Sequence, residues 1–395
     1  MNVLYIGFDV EGVGGIATYS RHQIQALKDL GHHLFVLSLD KQSETTRVAG
    51  AVADRHLPFL DKFQATRAVL RSLIAARGSF ELVILNHVFL AGFGLAAKFL
   101  IRAPYVVNIY NIDVLARLSP PREFAFRRAN LAIADCKYTL QRLPEFHRRL
   151  PPTGLLYDPV DTSFFRQIER GVARREIARR FGLTDLDGRF IAMTVASLLL
   201  PPNKGHRQTI DALAQLHDPR MLYIVVGDGP DRAAIESYAL ERGVAGQVRL
   251  LGFVDQPMLP HLYNAADVVV LVSRGAAGLG EAVPLGLIEA SACGVPFICG
   301  NQDGSLEAIG ADAPNGIAID PDRPELLAAE LTRLVENPGL ARSMGANGKR
   351  MVDDVFRYER FTERLGQLLW RHLGVASDHA PHDIPLPLPA AGRHS

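Results

Sequence analysis

The chain has 395 residues, 48% of them hydrophobic and 22% charged. That length exceeds what one hydrophobic core organises, and the balance is that of a globular protein, so two domains are expected and a fibrous or disordered chain is excluded. A formal net charge of +1 gives no overall case for a nucleic-acid partner, although residues 1–160 hold 19 Lys+Arg against 13 Asp+Glu, a local net of +6 that leaves about −5 elsewhere.

Cys136, Cys293 and Cys299 form neither a CxxC pair nor a set with His at zinc spacing, so no disulfide framework and no metal site is indicated. A reducing cytoplasm is the expected location. The opening MNVLYIGFDVEG reads as a first β-strand rather than a signal peptide. The most apolar stretch, Leu82 to Ile101, is broken by Asn86, His87 and Lys98, and reads as a strand followed by a helix rather than a membrane span.

Short apolar runs alternate with amphipathic segments, the grammar of strands and crossover helices in a parallel sheet. Strands are expected at Val3–Phe8, Leu34–Leu39, Leu82–Leu85, Tyr105–Ile109 and Leu131–Ala134, with a helix from Ile16 to Leu30 that Gly31 stops. The pattern becomes irregular over Asp158–Phe165, a connection between domains. It resumes at Phe190–Val195, Leu222–Val226, Val248–Leu251, Val268–Val272 and Pro296–Cys299, a second sheet of the same kind. From residue 376 the chain is rich in Pro and His without periodicity, as a disordered tail would be. The expected architecture is therefore α/β, with two Rossmann-like, doubly wound parallel-sheet domains.

Ligands of such sheets bind beyond the carboxyl ends of the strands, so the residues following each strand are the candidates. After the first strand, Gly12, Gly14 and Gly15 lead into a helix whose N-terminal N–H groups suit a phosphate. The spacing Gly12-x-Gly14-x-x-Ala17, with Asp40 after the second strand, also meets a loose dinucleotide fingerprint, which keeps a nicotinamide-dependent dehydrogenase as a rival reading. In the second half, Lys204 and Gly205 lie in a strand-to-helix loop where a cation neutralises a diphosphate. Gly227, with Asp228, Gly229 and Pro230, and Gly252, with Phe253 and Val254, follow two further strands. Then comes EAVPLGLIEASACGVPF, with Glu281 in a loop, Pro284 at the helix start, Leu285 just inside it, and Glu289 in the helix body among Leu287, Ile288, Ala290 and Ala292. A half-buried carboxylate needs a partner, and the two hydroxyls of a ribose supply one.

These motifs, in this order, resemble glycosyltransferase family four, the retaining GT-B enzymes, over roughly residues 1–372. The resemblance rests on Glu281-x7-Glu289, the run Glu289-Ala-Ser-Ala-Cys-Gly-Val-Pro, Gly14-Gly15, Lys204-Gly205, Gly227-Asp228-Gly229-Pro230, Gly252-Phe253-Val254 and Gly304-Ser305 with Glu307. It implies a GT-B fold whose two domains face a central cleft: an acceptor domain over 1–165 onto which a helix at about 357–373 packs back, and a donor domain over 166–356. It further implies that Glu289 holds the ribose, that Glu281 lies beside the transferred sugar and the diphosphate, and that Lys204 binds that diphosphate. Backbone groups around Phe253 and Val254 would contact the base, and Gly14 and Gly15 would approach the donor phosphate and sugar. The chain departs from the family at Ser197-Leu198-Leu199-Leu200, where many members carry an Arg, and at Asn108-Ile109-Tyr110-Asn111, where many carry a His. Arg207 is then the candidate second cation. Tyr110 and His87 are candidates for sugar positioning, and Asn108, Tyr110, Asn111 and Asp113 for acceptor contacts.

The expected activity is retaining, metal-independent, cofactor-free transfer of a hexose from a nucleotide-diphosphate sugar, GDP-mannose or a UDP-hexose, to a glycan or lipid-linked acceptor in polysaccharide or glycolipid assembly. Arg122, Arg127, Arg128, Arg142, Arg148 and Arg149, interleaved with Phe124, Phe126 and Phe146, fit an anionic acceptor or a peripheral association with an anionic membrane that bears lipid-linked acceptors, with a solvated basic face as the alternative. Two rival readings stand beside transfer: a catalytically impaired binding or regulatory module, and a nucleotide-sugar hydrolase or epimerase.

Overall fold

The computed structural model describes residues 1–12, 14–40, 52–58, 62–75, 78–199, 204–274 and 280–375. The tail expected from residue 376, and Leu200 to Asn203 before Lys204, lie outside the described residues. The chain forms two compact units. The first runs from Met1 to Pro159 and resumes at Tyr358, and the second runs from Val160 to Arg357.

The first unit is built on a seven-stranded parallel sheet: β1 (Asn2–Phe8), β2 (His33–Asp40), β3 (Arg55–Pro58), β4 (Leu82–Leu85), β5 (Tyr105–Ile109), β6 (Leu131–Ala134) and β7 (Thr153–Leu155), in the order β3-β2-β1-β4-β5-β6-β7. Its central strands are buried along their whole length, as strands covered by helices on both faces must be, which is why they read as unbroken apolar runs. Strand order reverses beside β1, the switch point where loops splay apart and leave room for a ligand. The helix Gly15–Asp29 buries Tyr19, Ile24, Ala26 and Leu27, and the chain leaves it through Gly31 at φ 79°. The helix Tyr358–Leu373 packs Phe361, Leu365, Leu368 and Leu369 into the same apolar cluster as Tyr19, Ile24 and Leu27. Tyr358 also donates to Asp29 Oδ2 at 2.6 Å. Gly154 in β7 makes room for this helix, since a Cβ there would lie 2.6 Å from Leu368 Cδ2.

The second unit repeats the grammar with six parallel strands: β8 (Phe190–Val195), β9 (Met221–Val226), β10 (Val248–Gly252), β11 (Val268–Leu271), β12 (Phe297–Gly300) and β13 (Gly316–Ile319), ordered β10-β9-β8-β11-β12-β13. Strands read from sequence coincide with these to within a residue or so. Three escaped that reading: β3, β7 and β13. All three are edge strands of three or four residues. An edge strand buries less side chain than a central one, so its sequence carries a weaker apolar signal.

Candidate functional site

In the second unit the candidate residues gather beyond the carboxyl ends of the strands. Gly205 follows β8 at φ 88° and begins the helix His206–Leu216. A Cβ on Gly205 would lie 2.8 Å from the Val272 carbonyl oxygen and 2.9 Å from the Val272 nitrogen, so the turn rests directly on the backbone that continues from β11. That support fixes Lys204, whose ammonium pairs with the Glu281 carboxylate. Their side chains are 17% and 24% exposed, so a cation and an anion stand together at a surface where a substrate can reach them.

Beneath this turn His206 is fully buried. Its Nδ1 lies 3.0 Å from the Tyr223 hydroxyl, which donates to Thr194 Oγ1 at 2.8 Å, and Thr194 donates to the Val270 carbonyl at 2.6 Å. Burial, reinforced by the nearby Lys204 charge, pushes the imidazole down to about 4, so it is neutral at physiological pH. The sequence barely discloses this network. Its only trace was a His placed directly after the Lys-Gly turn.

Glu289 lies in the helix Leu285–Ala292, which Pro284 immediately precedes, and Leu285 opens its first turn half-buried. Tyr263 donates its hydroxyl to Glu289 Oε2 at 2.6 Å. The ring is wholly buried, and burial first, then the Glu289 charge, holds the phenol well above its ordinary range, so it stays a donor. Gly286 leaves space for it, as a Cβ there would lie 3.3 Å from the hydroxyl oxygen. The expected half-buried carboxylate therefore has a protein partner that the spacing of the motif did not disclose.

Two glycine turns complete this edge. Gly227, at φ 137°, passes so close to β8 that a Cβ would sit 2.0 Å from the Ala196 carbonyl oxygen, and its N–H donates to the Gly252 carbonyl at 2.9 Å. After Gly252, Phe253 is 78% exposed and Val254 is half-buried. A bare aromatic ring at the ligand edge suits stacking against a planar base. Leu198, in the stretch where an Arg was sought, is fully buried and donates its N–H to the Asp228 carbonyl at 3.1 Å. Arg207 does not take over that role by position: it is exposed and its guanidinium lies 5.1 Å from the centroid of the Tyr238 ring.

In the first unit, Gly14 precedes the helix Gly15–Asp29 at φ 126°, and a Cβ on Gly14 or Gly15 would meet nothing within 4 Å. Arg21 Nη1 holds the approach to this turn by donating to the carbonyls of Val10 at 3.1 Å and Gly12 at 2.9 Å. The dehydrogenase alternative weakens here. Both Asp40 oxygens are engaged by the protein, Oδ1 by the Ser38 hydroxyl at 2.5 Å and Oδ2 by His56 Nδ1 at 2.7 Å, so the carboxylate is not offered to a ribose.

The residues proposed for sugar and acceptor divide into two groups. Asn108 is buried in the core, where it exchanges amide hydrogen bonds with Gln23 at 2.6 and 3.2 Å. Asn111 is buried at the start of the short helix Asn111–Val114. The Tyr110 ring stands edge-on to Tyr19 at 5.8 Å within the apolar cluster, and its hydroxyl is enclosed without a hydrogen-bond partner among the described residues. The Tyr110 ring packs in the core, as Asn108 does.

His87 and Asp113, by contrast, are brought together. The Phe89 amide donates to His87 Nδ1 at 3.2 Å, so Nδ1 is unprotonated in the neutral ring and Nε2 donates to Asp113 Oδ2 at 2.9 Å. The two side chains are 10% and 22% exposed, an oriented imidazole–carboxylate pair at the carboxyl end of β4.

The basic cluster is also redrawn. Phe126 is fully buried, and its place is taken by Phe89, Phe99 and Leu100, all exposed, Phe99 to 72%. Arg122 lies 4.5 Å from the Phe89 ring centroid and Arg128 lies 3.6 Å from that of Phe124. Lys98 Nζ donates to the Arg128 carbonyl at 3.2 Å, which joins the helix Ala91–Leu100 to the end of the helix Pro120–Phe126. Among the described residues no helix is long and apolar enough to cross a membrane.

Comparison with known proteins accords with this geometry. Residues 14–185 match the model of the glycosyl transferase 4-like domain, and residues 180–351 match that of the glycosyl transferases group 1. The chain is 29% identical, over 67% of its own length and 69% of the relative's, to the GDP-mannose-dependent alpha-(1-6)-phosphatidylinositol monomannoside mannosyltransferase of Mycolicibacterium smegmatis. It is 31% identical to the enzyme of the same name from Mycobacterium tuberculosis, over 55% of this chain and just over half, 56%, of that relative. Among solved structures, Anabaena HepE in complex with UDP shares the fold with a TM-score of 0.72 at 18% identity, covering 94% of this chain and 100% of that one. The two family models, end to end from residue 14 to 351, and these relatives establish that the chain is a GT-B glycosyltransferase acting on nucleotide sugars and belongs to glycosyltransferase family four.

Proposed function

We propose that the chain transfers a hexose, with retention of anomeric configuration and without a metal ion, from a nucleotide-diphosphate sugar to a glycan or lipid-linked acceptor. GDP-mannose is the first-choice donor because the mannosyltransferase relatives named above depend on it. The observation that carries the reading is the Lys204–Glu281 ion pair, set on glycine turns that let a ligand approach the backbone.

Cleaving a sugar–phosphate bond builds positive charge at the anomeric carbon and negative charge on the departing diphosphate. Lys204 meets that negative charge with a fixed cation, and the N-terminal amides of the helix His206–Leu216 add oriented dipoles. Glu289, oriented by Tyr263, accepts from the two ribose hydroxyls. Glu281, held at Lys204, faces the transferred sugar. The departing phosphate oxygen takes the proton of the acceptor hydroxyl on the same face, so no protein nucleophile forms a bond to the sugar. His87 and Asp113, an oriented pair on the first unit, serve as candidates for acceptor contacts.

The test is incubation with GDP-mannose, UDP-glucose and related donors plus a lipid-linked acceptor, with product configuration read by NMR and activity compared with and without chelator. An inverted product or chelator-dependent loss contradicts the mechanism. Release of free sugar or epimerised donor without transfer supports the hydrolase or epimerase reading instead.

The partner surface is the anionic membrane that would carry a lipid-linked acceptor. Support comes from Phe99, Leu100 and Phe124 exposed among Lys98, Arg102, Arg122, Arg127 and Arg128. Flotation on phosphatidylglycerol vesicles is expected, with loss at high salt and in Phe99→Ser or Arg127→Glu/Arg128→Glu variants. Equal recovery on phosphatidylcholine vesicles refutes the surface.

A further inference from the structure

Asp303 lies just beyond β12, 3% exposed. Its two carboxylate oxygens serve two different segments. Oδ1 accepts from the Ser305 amide at 2.9 Å, and Oδ2 accepts from the Glu281 amide, also at 2.9 Å. The Gly304 amide in turn donates to the Glu281 carbonyl at 3.0 Å. Both main-chain polar groups of Glu281 are therefore tied to residues 303–304, while its side chain is tied to Lys204.

The close approach depends on glycine on each side. A Cβ on Gly280 would fall 2.2 Å from Asp303 Cβ, and one on Gly304 would fall 2.8 Å from the Ala282 carbonyl carbon and oxygen. Burial pushes the Asp303 carboxyl up from its ordinary range, and the hydrogen bonds to Ser305 and Glu281 oppose that shift. An asparagine of the same shape would turn an NH2 group toward one of the two N–H donors.

We infer that Asp303 is a positioning residue for the transfer reaction, clamping the Glu281 backbone so that its carboxylate meets Lys204 and the donor sugar in one geometry. Asp303 touches neither donor nor acceptor; it acts through Glu281, and the inference rests on the donor-site reading above. Asp303→Asn should lower kcat at least tenfold while donor KM changes less than threefold, and the buried amide left without an acceptor should lower the melting temperature by a few degrees only. On a Glu281→Gln background the same substitution should add less than a twofold further loss, because the residue it positions is already disabled.

Amide hydrogen exchange at Glu281 reads the clamp without any turnover and should accelerate at least tenfold in Asp303→Asn. Gly280→Ala, which presses a methyl group against Asp303 while keeping the carboxylate, should give the same kcat loss and serves if Asp303→Asn does not fold. Undiminished kcat, a full tenfold loss persisting on the Glu281→Gln background, or unchanged Glu281 exchange each overturns the inference. A parent enzyme that transfers no sugar overturns the functional reading instead, and the exchange experiment then decides the clamp by itself.

Discussion

Gly205→Ala is the substitution whose effect the structure fixes most closely. At φ 88°, an L-residue pays the left-handed penalty of about 1–2 kcal/mol. The added methyl would also meet three backbone atoms of Val272 at 2.8, 2.9 and 3.1 Å. Backbone cannot swing aside as a side chain can, so overpacking adds roughly 1–3 kcal/mol. The sum, about 2–5 kcal/mol, corresponds to a fall of roughly 5–15 °C in the melting of the second unit. Gly243→Ala is the matched control: its φ is 72°, but a Cβ there meets nothing within 4 Å, so it should show the strain component alone, about 1–2 kcal/mol. Because the turn carries Lys204, Gly205→Ala should also weaken nucleoside diphosphate binding at least tenfold by calorimetry, whereas Gly243→Ala should leave it unchanged. Equal destabilisation by the two substitutions, or unaltered binding in Gly205→Ala, refutes the packing of this turn on Val272.

Other outcomes follow from the same geometry. Glu281→Gln removes the anion that competes for Lys204, so nucleoside diphosphate affinity should rise several-fold while turnover falls; weaker binding contradicts the pairing. Tyr263→Phe deletes a donor to a carboxylate and should cost about 1.5–3 kcal/mol in urea unfolding, and a loss under about 0.5 kcal/mol would show that the bond contributes little. His206 has a folded pKa of about 4 against an ordinary 6.5, so the unfolded chain binds the extra proton between those values. Its contribution is fully present above about pH 6.5 and is lost as pH falls toward about 4, by about 3 kcal/mol. The gap between parent and His206→Gln should therefore narrow over that window, and a constant gap would mean that His206 is not held neutral.

Much of the candidate site in the second unit was legible because its residues are local. Lys204, Gly205, Gly227, Phe253, Glu281 and Glu289 each follow a strand, and strand ends could be read from unbroken apolar runs. What the sequence hid were partners distant along the chain. Nothing near Glu289 points to Tyr263, and Glu281 meets Asp303 only because β11 and β12 are neighbours in the sheet. The first unit was less legible for a related reason. Asn108 and Tyr110 stand at or just beyond the end of β5 like ligand residues, but Gln23 and Tyr19 of the helix Gly15–Asp29 enclose them. His87 and Asp113 were each visible, yet their hydrogen bond appears only when β4 and β5 are laid side by side. Phe126 and Phe124 look alike in sequence; the helix Pro120–Phe126 buries one and exposes the other.

The central claim is that Lys204 and Glu289 hold the diphosphate and the ribose of the donor. Calorimetric titration of GDP and UDP into the parent, Lys204→Ala and Glu289→Ala tests it most directly. A charge-assisted contact is worth about 1.5–3 kcal/mol, so each substitution should weaken binding of the preferred nucleotide by roughly tenfold or more. Affinities within about twofold of the parent for both variants would contradict the account.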